Sequence, residues 1–147
     1  MSRSIIAEAL LKKMLAERGR DDIVVTSGGI APYARDTSLV SMDARLVLRD
    51  DDIEIHPDTM ACDLKRHRER LLDADLIVTM TAEQKRMLAD FPEARDKDVL
   101  TLAEAAGETG DIEDPARRDE DFYRACRDQI RRCLEKAIDR LAPPREP

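Results

Sequence analysis

The chain has 147 residues, and 25 Lys+Arg against 32 Asp+Glu leave a net charge of −7. Its length fits one domain able to bury a core without staples, and 42% hydrophobic residues are too many for a disordered polymer. With two Phe, two Tyr and no Trp, the composition argues against a base-stacking platform, and the acidic balance argues against a general nucleic-acid or membrane-surface binder.

Three cysteines (Cys62, Cys126, Cys133) form no C-x-x-C pair and read as the reduced thiols of a cytoplasmic protein. No apolar run approaches the roughly 20 residues of a membrane span. The first residues, Met1-Ser2-Arg3-Ser4-Ile5-Ile6, lack the apolar region and cleavage site of a signal peptide.

The chain opens inside a helical pattern. Over residues 4–18, Ile6, Leu10 and Met14 repeat on one face, and Gly19 ends the helix. Ile23 to Thr26 is a β-branched run closed by Ser27-Gly28-Gly29, which predicts a buried strand and a loop. Residues 30–38 read as loop. Residues 40–49 read as a helix with Val40, Ala44, Val47 and Leu48 inward. A basic helix is expected over 60–72. Leu76-Ile77-Val78 marks a second buried strand, and Thr81-Ala82-Glu83-Gln84 a capping box opening a helix to about Asp90. Val99 to Leu102 is a third strand, and residues 103–121 read as loop-rich. A long helix over 119–141 carries Phe122, Cys126, Ile130, Cys133, Ala137, Ile138 and Leu141 on one stripe. Strands separated by helices predict a single α/β domain with a parallel sheet and helices on both faces.

Two motifs carry chemistry. Arg3-Ser4 opens a helix, where unpaired N–H groups and a partial positive charge suit a phosphate that Arg3 grips with two donors. An exposed Arg and a helix-capping Ser account for the same pair. Asp111-Ile112-Glu113-Asp114-Pro115 follows the last strand, where an Asp is placed to act as a general acid; standing alone, the motif is more ordinarily an acidic surface turn.

Together, in this element order, the motifs resemble the low-molecular-weight protein-tyrosine-phosphatase family, including its bacterial arginine-phosphatase branch. The matching stretches are Arg3-Ser4-x-x-Ala7-Glu8-Ala9-Leu10, Thr26-Ser27-Gly28-Gly29, Ala74 to Thr81, Ile112-Glu113-Asp114-Pro115 and Asp121-Phe122-Tyr123. The resemblance covers residues 1–147. It implies a three-layer αβα fold whose parallel sheet has four strands in the order 2-1-3-4, and a cysteine phosphatase needing no metal or cofactor. In such enzymes a Cys-x5-Arg loop opens the first helix, the thiolate attacks phosphorus, and an Asp protonates the leaving group and then activates water.

Carried over, Arg3 is the phosphate clamp, Ser4 the thiolate partner and Asp114 the general acid. The nucleophile falls six residues before Arg3, ahead of Met1, as does the central first strand. The domain is therefore expected to be N-terminally incomplete, by a start placed too far downstream or by shortening; a true catalytically dead phosphate- or phosphopeptide-binding relative is the alternative. Without that strand, the runs 22–27 and 75–80 lose ladder partners, which predicts a poorly stable chain.

The expected partner is a phosphorylated protein or peptide, met by a monomer or weak dimer. Tyr33 is a candidate wall of the substrate pocket, and Arg117 a candidate contact for acidic phosphopeptides. Asp96-Lys97 and Thr101-Leu102 look closer to the arginine-phosphatase branch. The thioredoxin-coupled arsenate reductases of the family need redox cysteines after the Leu76-Ile77-Val78 strand, and Met80 to Asp90 holds none. His56 and His67, eleven apart, form no metal-binding pattern, and His67 falls in the basic stretch Lys65-Arg66-His67-Arg68.

Overall fold

A computed structural model describes residues 2–144 apart from Tyr33, Thr37, Ser38 and Arg117. The elements are α1 (Ser2–Glu17), α2 (Met42–Arg49), α3 (Glu69–Asp73), β1 (Leu76–Thr79), α4 (Ala82–Met87), β2 (Asp98–Thr101), α5 (Leu102–Ala105) and α6 (Glu120–Leu141). Strands β1 and β2 are parallel, with Leu76 opposite Asp98 and Thr79 opposite Thr101.

Successive strand residues point to opposite faces, and here they feed two different cores. Val78 packs on a cluster containing Ile6, Leu10, Val47, Leu48, Ile130 and Leu134, drawn from α1, α2 and α6. Ile77 and Val99 pack on the other side, against Leu71, Leu88, Phe91 and Ala94. This gives the αβα layering expected from the alternation of strands and helices. Ile6 and Leu48 are fully buried, and each contributes about 1.5–3 kcal/mol of transfer free energy.

Helix ends follow local chemistry. Asp119 caps α6 by accepting the Phe122 N–H at 2.9 Å. Thr81 caps α4 by accepting the Gln84 N–H at 3.1 Å. The Gln84 side chain turns to the Met80 N–H instead of closing the box on Thr81. Gly19, at φ +66°, ends α1 in the left-handed region that only glycine enters cheaply.

Four expectations are corrected. Residues 23–28 form no strand. Their burial alternates, with Ile23 and Val25 half-buried against Leu15, Ile138 and Ala142 while Val24 is 87% exposed. Pairing begins only at Gly29, in one parallel bridge to Asp63. Among the described residues, β1 pairs only with β2.

Residues 60–72 are not one basic helix. The Gly29 N–H donates to the Cys62 carbonyl at 2.8 Å and the Leu64 N–H to the Gly29 carbonyl at 2.9 Å. Those bonds commit the backbone away from a helix, which starts only at Glu69. Gly28 permits this approach, since a Cβ there falls 2.6 Å from Leu64 Cγ.

The loop expected after β2 holds α5. Its capping box, Thr101 with Glu104, is complete, and the Thr-x-x-Glu signature was in the sequence. On α6, Tyr123 is buried where the stripe named Phe122; Phe122 lies half-buried beneath the Arg118 guanidinium, 4.1 Å from its ring centre.

A strand open on one side and a neighbouring apolar segment without ladder bonds give a weakened sheet. The 147-residue chain, followed by circular dichroism, is expected to lose structure without a cooperative transition above about 50 °C. A sharp transition well above that temperature overturns this reading.

Candidate active site

The site forms where the start of α1 meets the segment after α5. Arg3, in the first turn of α1, is buried to 8% exposure. Its Nη1 donates to the Ile112 carbonyl at 2.7 Å, and its Nη2 lies 3.8 Å from Asp114 Oδ2. A buried guanidinium needs such partners, since an unpaired buried charge is costly.

The segment 111–115 is held at three points. Ile112 is fully buried, and its N–H donates to the Met80 carbonyl, just beyond β1, at 2.9 Å. Asp111 Oδ1 accepts the Ala82 N–H at 2.9 Å. Pro115 is also fully buried, and Asp114 Oδ1 accepts the Ala116 N–H across it at 3.0 Å. Asp114 Oδ2 is thereby left toward Arg3 on a carboxylate with 41% side-chain exposure. The two motifs the sequence singled out thus meet in space.

Arg3 and Ser4 line a cleft. One wall is Gly28, Gly29, Ile30 and Ala31; the other is Ile77 to Met80 along β1. Leu64, Leu71 and Leu88 close its back. The cleft lies between the Gly28–Ala31 segment and the end of β1. Tyr33 and Arg117, the expected substrate contacts, lie outside the described residues.

Cys126 sits beneath this site, and sequence reasoning assigned it only to packing. Its Sγ is 3.8 Å from the Glu113 carbonyl oxygen. Burial pushes its thiol up to about 11; Arg3 opposes the shift and Asp114 adds to it. Such a thiol is not a nucleophile at neutral pH. Burial also raises Cys133 and the more accessible Cys62.

A second group of chemistry-bearing side chains lies behind the Gly29–Asp63 bridge. Ligand atoms of Asp36, Cys62 and His67 fall within 4.8 Å of one another. The basic stretch therefore does not simply face solvent, because His67 Nε2 lies 3.1 Å from Asp36 Oδ2. The spacing of the two His in sequence gave no hint of this, since Asp36 comes from a distant loop.

The family model for low molecular weight phosphotyrosine protein phosphatase matches residues 1–145. A protein-arginine-phosphatase of Geobacillus stearothermophilus is 35% identical over 141 residues, 95% of this chain and 86% of that protein. A low molecular weight protein-tyrosine-phosphatase of Staphylococcus haemolyticus is 33% identical over 87% of this chain and 83% of its own length. Among solved structures, an arginine phosphatase in a cysteine-to-serine mutant form, with a phosphorylated active-site serine, matches at TM-score 0.84 and 30% identity. That match covers 97% of this chain and 90% of that one. With its layered α/β fold, its Arg3–Asp114 pair and these relatives, the chain belongs to the low molecular weight phosphotyrosine protein phosphatase family.

The thiols provide a check on the site's packing. A raised folded-state pKa means the neutral thiol stabilises the fold below its ordinary value near 9.0, and that contribution fades as pH rises through about 11. Iodoacetamide at pH 8 is expected to label Cys62 and spare Cys126 and Cys133 until denaturant is added. Labelling of Cys126 at the rate of Cys62 in the native protein contradicts the burial described.

Proposed function

We propose that this protein is a phosphatase acting on phosphotyrosine or phosphoarginine in proteins, through a phosphocysteine intermediate on a thiol other than the buried Cys126. The single observation carrying this reading is the meeting of Arg3 and Asp114, 3.8 Å apart, with Arg3 also lining the cleft. An isolated surface ion pair needs neither the buried Arg3 nor the triple anchoring of 111–115. The phosphorylated serine in the solved relative supports covalent phosphoryl transfer to the side chain at the nucleophile position.

In this reading Arg3 and the first amides of α1 take the equatorial phosphate oxygens, and Ser4 orients the thiolate. The transferring phosphoryl group is stabilised by charge and N–H groups already in place before it arrives. Asp114 gives its proton to the leaving oxygen or nitrogen, then withdraws one from the water that frees phosphate. Tyr33 and Arg117 are proposed to meet the substrate protein. The arginine-phosphatase relative at 35% identity favours the phosphoarginine branch.

The intact mass of the protein made from its own gene in its own host tests this reading. A mass above 16.7 kDa by roughly ten residues, with a fourth titrating thiol, supports the enzyme. A mass of 16.7 kDa favours the second reading, a phosphate-binding relative without turnover.

In the longer protein, Asp114→Asn is expected to lower kcat by about 10²–10⁴ with little change in KM, as for a lost general acid. Arg3→Lys is expected to lose most turnover as well, because a point charge does not replace the two-pronged guanidinium. Near-normal kcat in either variant removes that residue from the mechanism.

A further inference from the structure

We propose that Asp36, Cys62 and His67 form a zinc-type divalent-metal site, separate from the Arg3–Asp114 cleft, that ties the 29–36 loop to the 61–68 turn. One thiol, one imidazole and one carboxylate converge there, each half-buried, with their ligand atoms within 4.8 Å of one another. That mixture of S, N and O donors is the set zinc takes. Bond lengths of roughly 2.0–2.3 Å put neighbouring tetrahedral ligands about 3.3–3.7 Å apart. His67 Nε2 and Asp36 Oδ2, at 3.1 Å, already stand near that separation. The remaining pairs, within 4.8 Å, reach it by an inward movement of about an ångström.

The surroundings are those of a supported ligand set. His67 Nδ1 lies 3.4 Å from Glu69 Oε1, so the ring presents Nε2 to the metal while a carboxylate holds its other nitrogen. Asp36 Oδ1 accepts the Asp63 N–H at 2.7 Å, which leaves Oδ2 for coordination. Lys65 is drawn aside by Asp63 at 2.9 Å and by the Ala31 carbonyl at 2.6 Å. Arg70 donates to the Ser27 carbonyl at 3.2 Å. Arg66, 3.9 Å from Asp36 and 75% exposed, is the cation a metal displaces. A His–Asp ion pair alone needs neither a thiol in the same cluster nor a second carboxylate on the ring. The thiolate and Asp36 together neutralise a divalent ion, and a water completes four-coordination.

The site sits behind the backbone bridge that joins Gly29 to Asp63, the same segment that forms one wall of the cleft. Its metal is therefore structural: it fastens the wall and takes no part in phosphoryl transfer.

Cobalt(II) titration of the 147-residue protein in the cold tests this directly. One equivalent is expected to give a thiolate-to-cobalt charge-transfer band, bleached by one equivalent of zinc and absent from Cys62→Ser. Absence of the band, or its persistence in Cys62→Ser, overturns the proposal. A second measurement needs no variant. Equimolar zinc is expected to slow alkylation of Cys62, mapped by mass spectrometry, by about tenfold or more, because a metal-bound thiolate is withdrawn from attack. An unchanged Cys62 rate with zinc present also overturns it. Neither readout depends on phosphatase activity.

Discussion

The structure depends most on how Ile112 is held. Its side chain is fully buried, its N–H reaches the carbonyl of Met80 beyond β1, and its carbonyl takes the Arg3 guanidinium. One residue thereby links the sheet, the start of α1 and the segment carrying Asp114. Because Pro115 is buried two residues beyond Asp114's neighbour Glu113, the Asp114 carboxylate has little freedom to leave the site. Arg3 in turn is satisfied without a ligand: a carbonyl and a carboxylate already face it.

The sheet is where local signals and tertiary partners part company. Residues 23–26 have the β-branched composition of a strand, and their burial alternates as a strand's does. They nevertheless form no ladder, because strand propensity describes fitness for a half-buried pleated surface and not a backbone state held alone. The backbone partners must come from a neighbour, and among the described residues β1 pairs only with β2. By contrast β1 and β2 find each other, because α4 and the following turns return the chain in parallel with four residues in register.

Much of the fold was legible before the structure. The apolar faces of α1, α2 and α6 follow helical spacing, and Thr81 and Gly19 end elements as their chemistry demands. The failures have local causes. The run 60–72 has the composition of a basic helix, but Cys62 and Leu64 give their backbone groups to Gly29, a contact from more than thirty residues away that no window reveals. Tyr123 replaces Phe122 inside because the smaller aromatic, Phe122, is claimed by Arg118 at the surface. Helix α5 was readable from Thr101 and Glu104 and was hidden by the glycines that follow it. That Arg3 and Asp114 belong together was legible only from the two motifs jointly; either alone reads as ordinary surface.

His67 illustrates the limit of such reading in the other direction. Within Lys65-Arg66-His67-Arg68 it looks like one more solvated cation. Its neighbours in space are a thiol and two carboxylates, one contributed by the distant 29–36 loop. Charge runs are averaged along the chain, whereas electrostatics acts across space within about a Debye length, roughly 8–10 Å. An acidic environment assembled from three segments therefore escapes any linear count. The lysine and arginines flanking His67 are drawn to Asp63, Asp36 and Glu93. The stretch that reads as basic in sequence is locally paired with carboxylates in the fold, which leaves His67 to the groups that surround it.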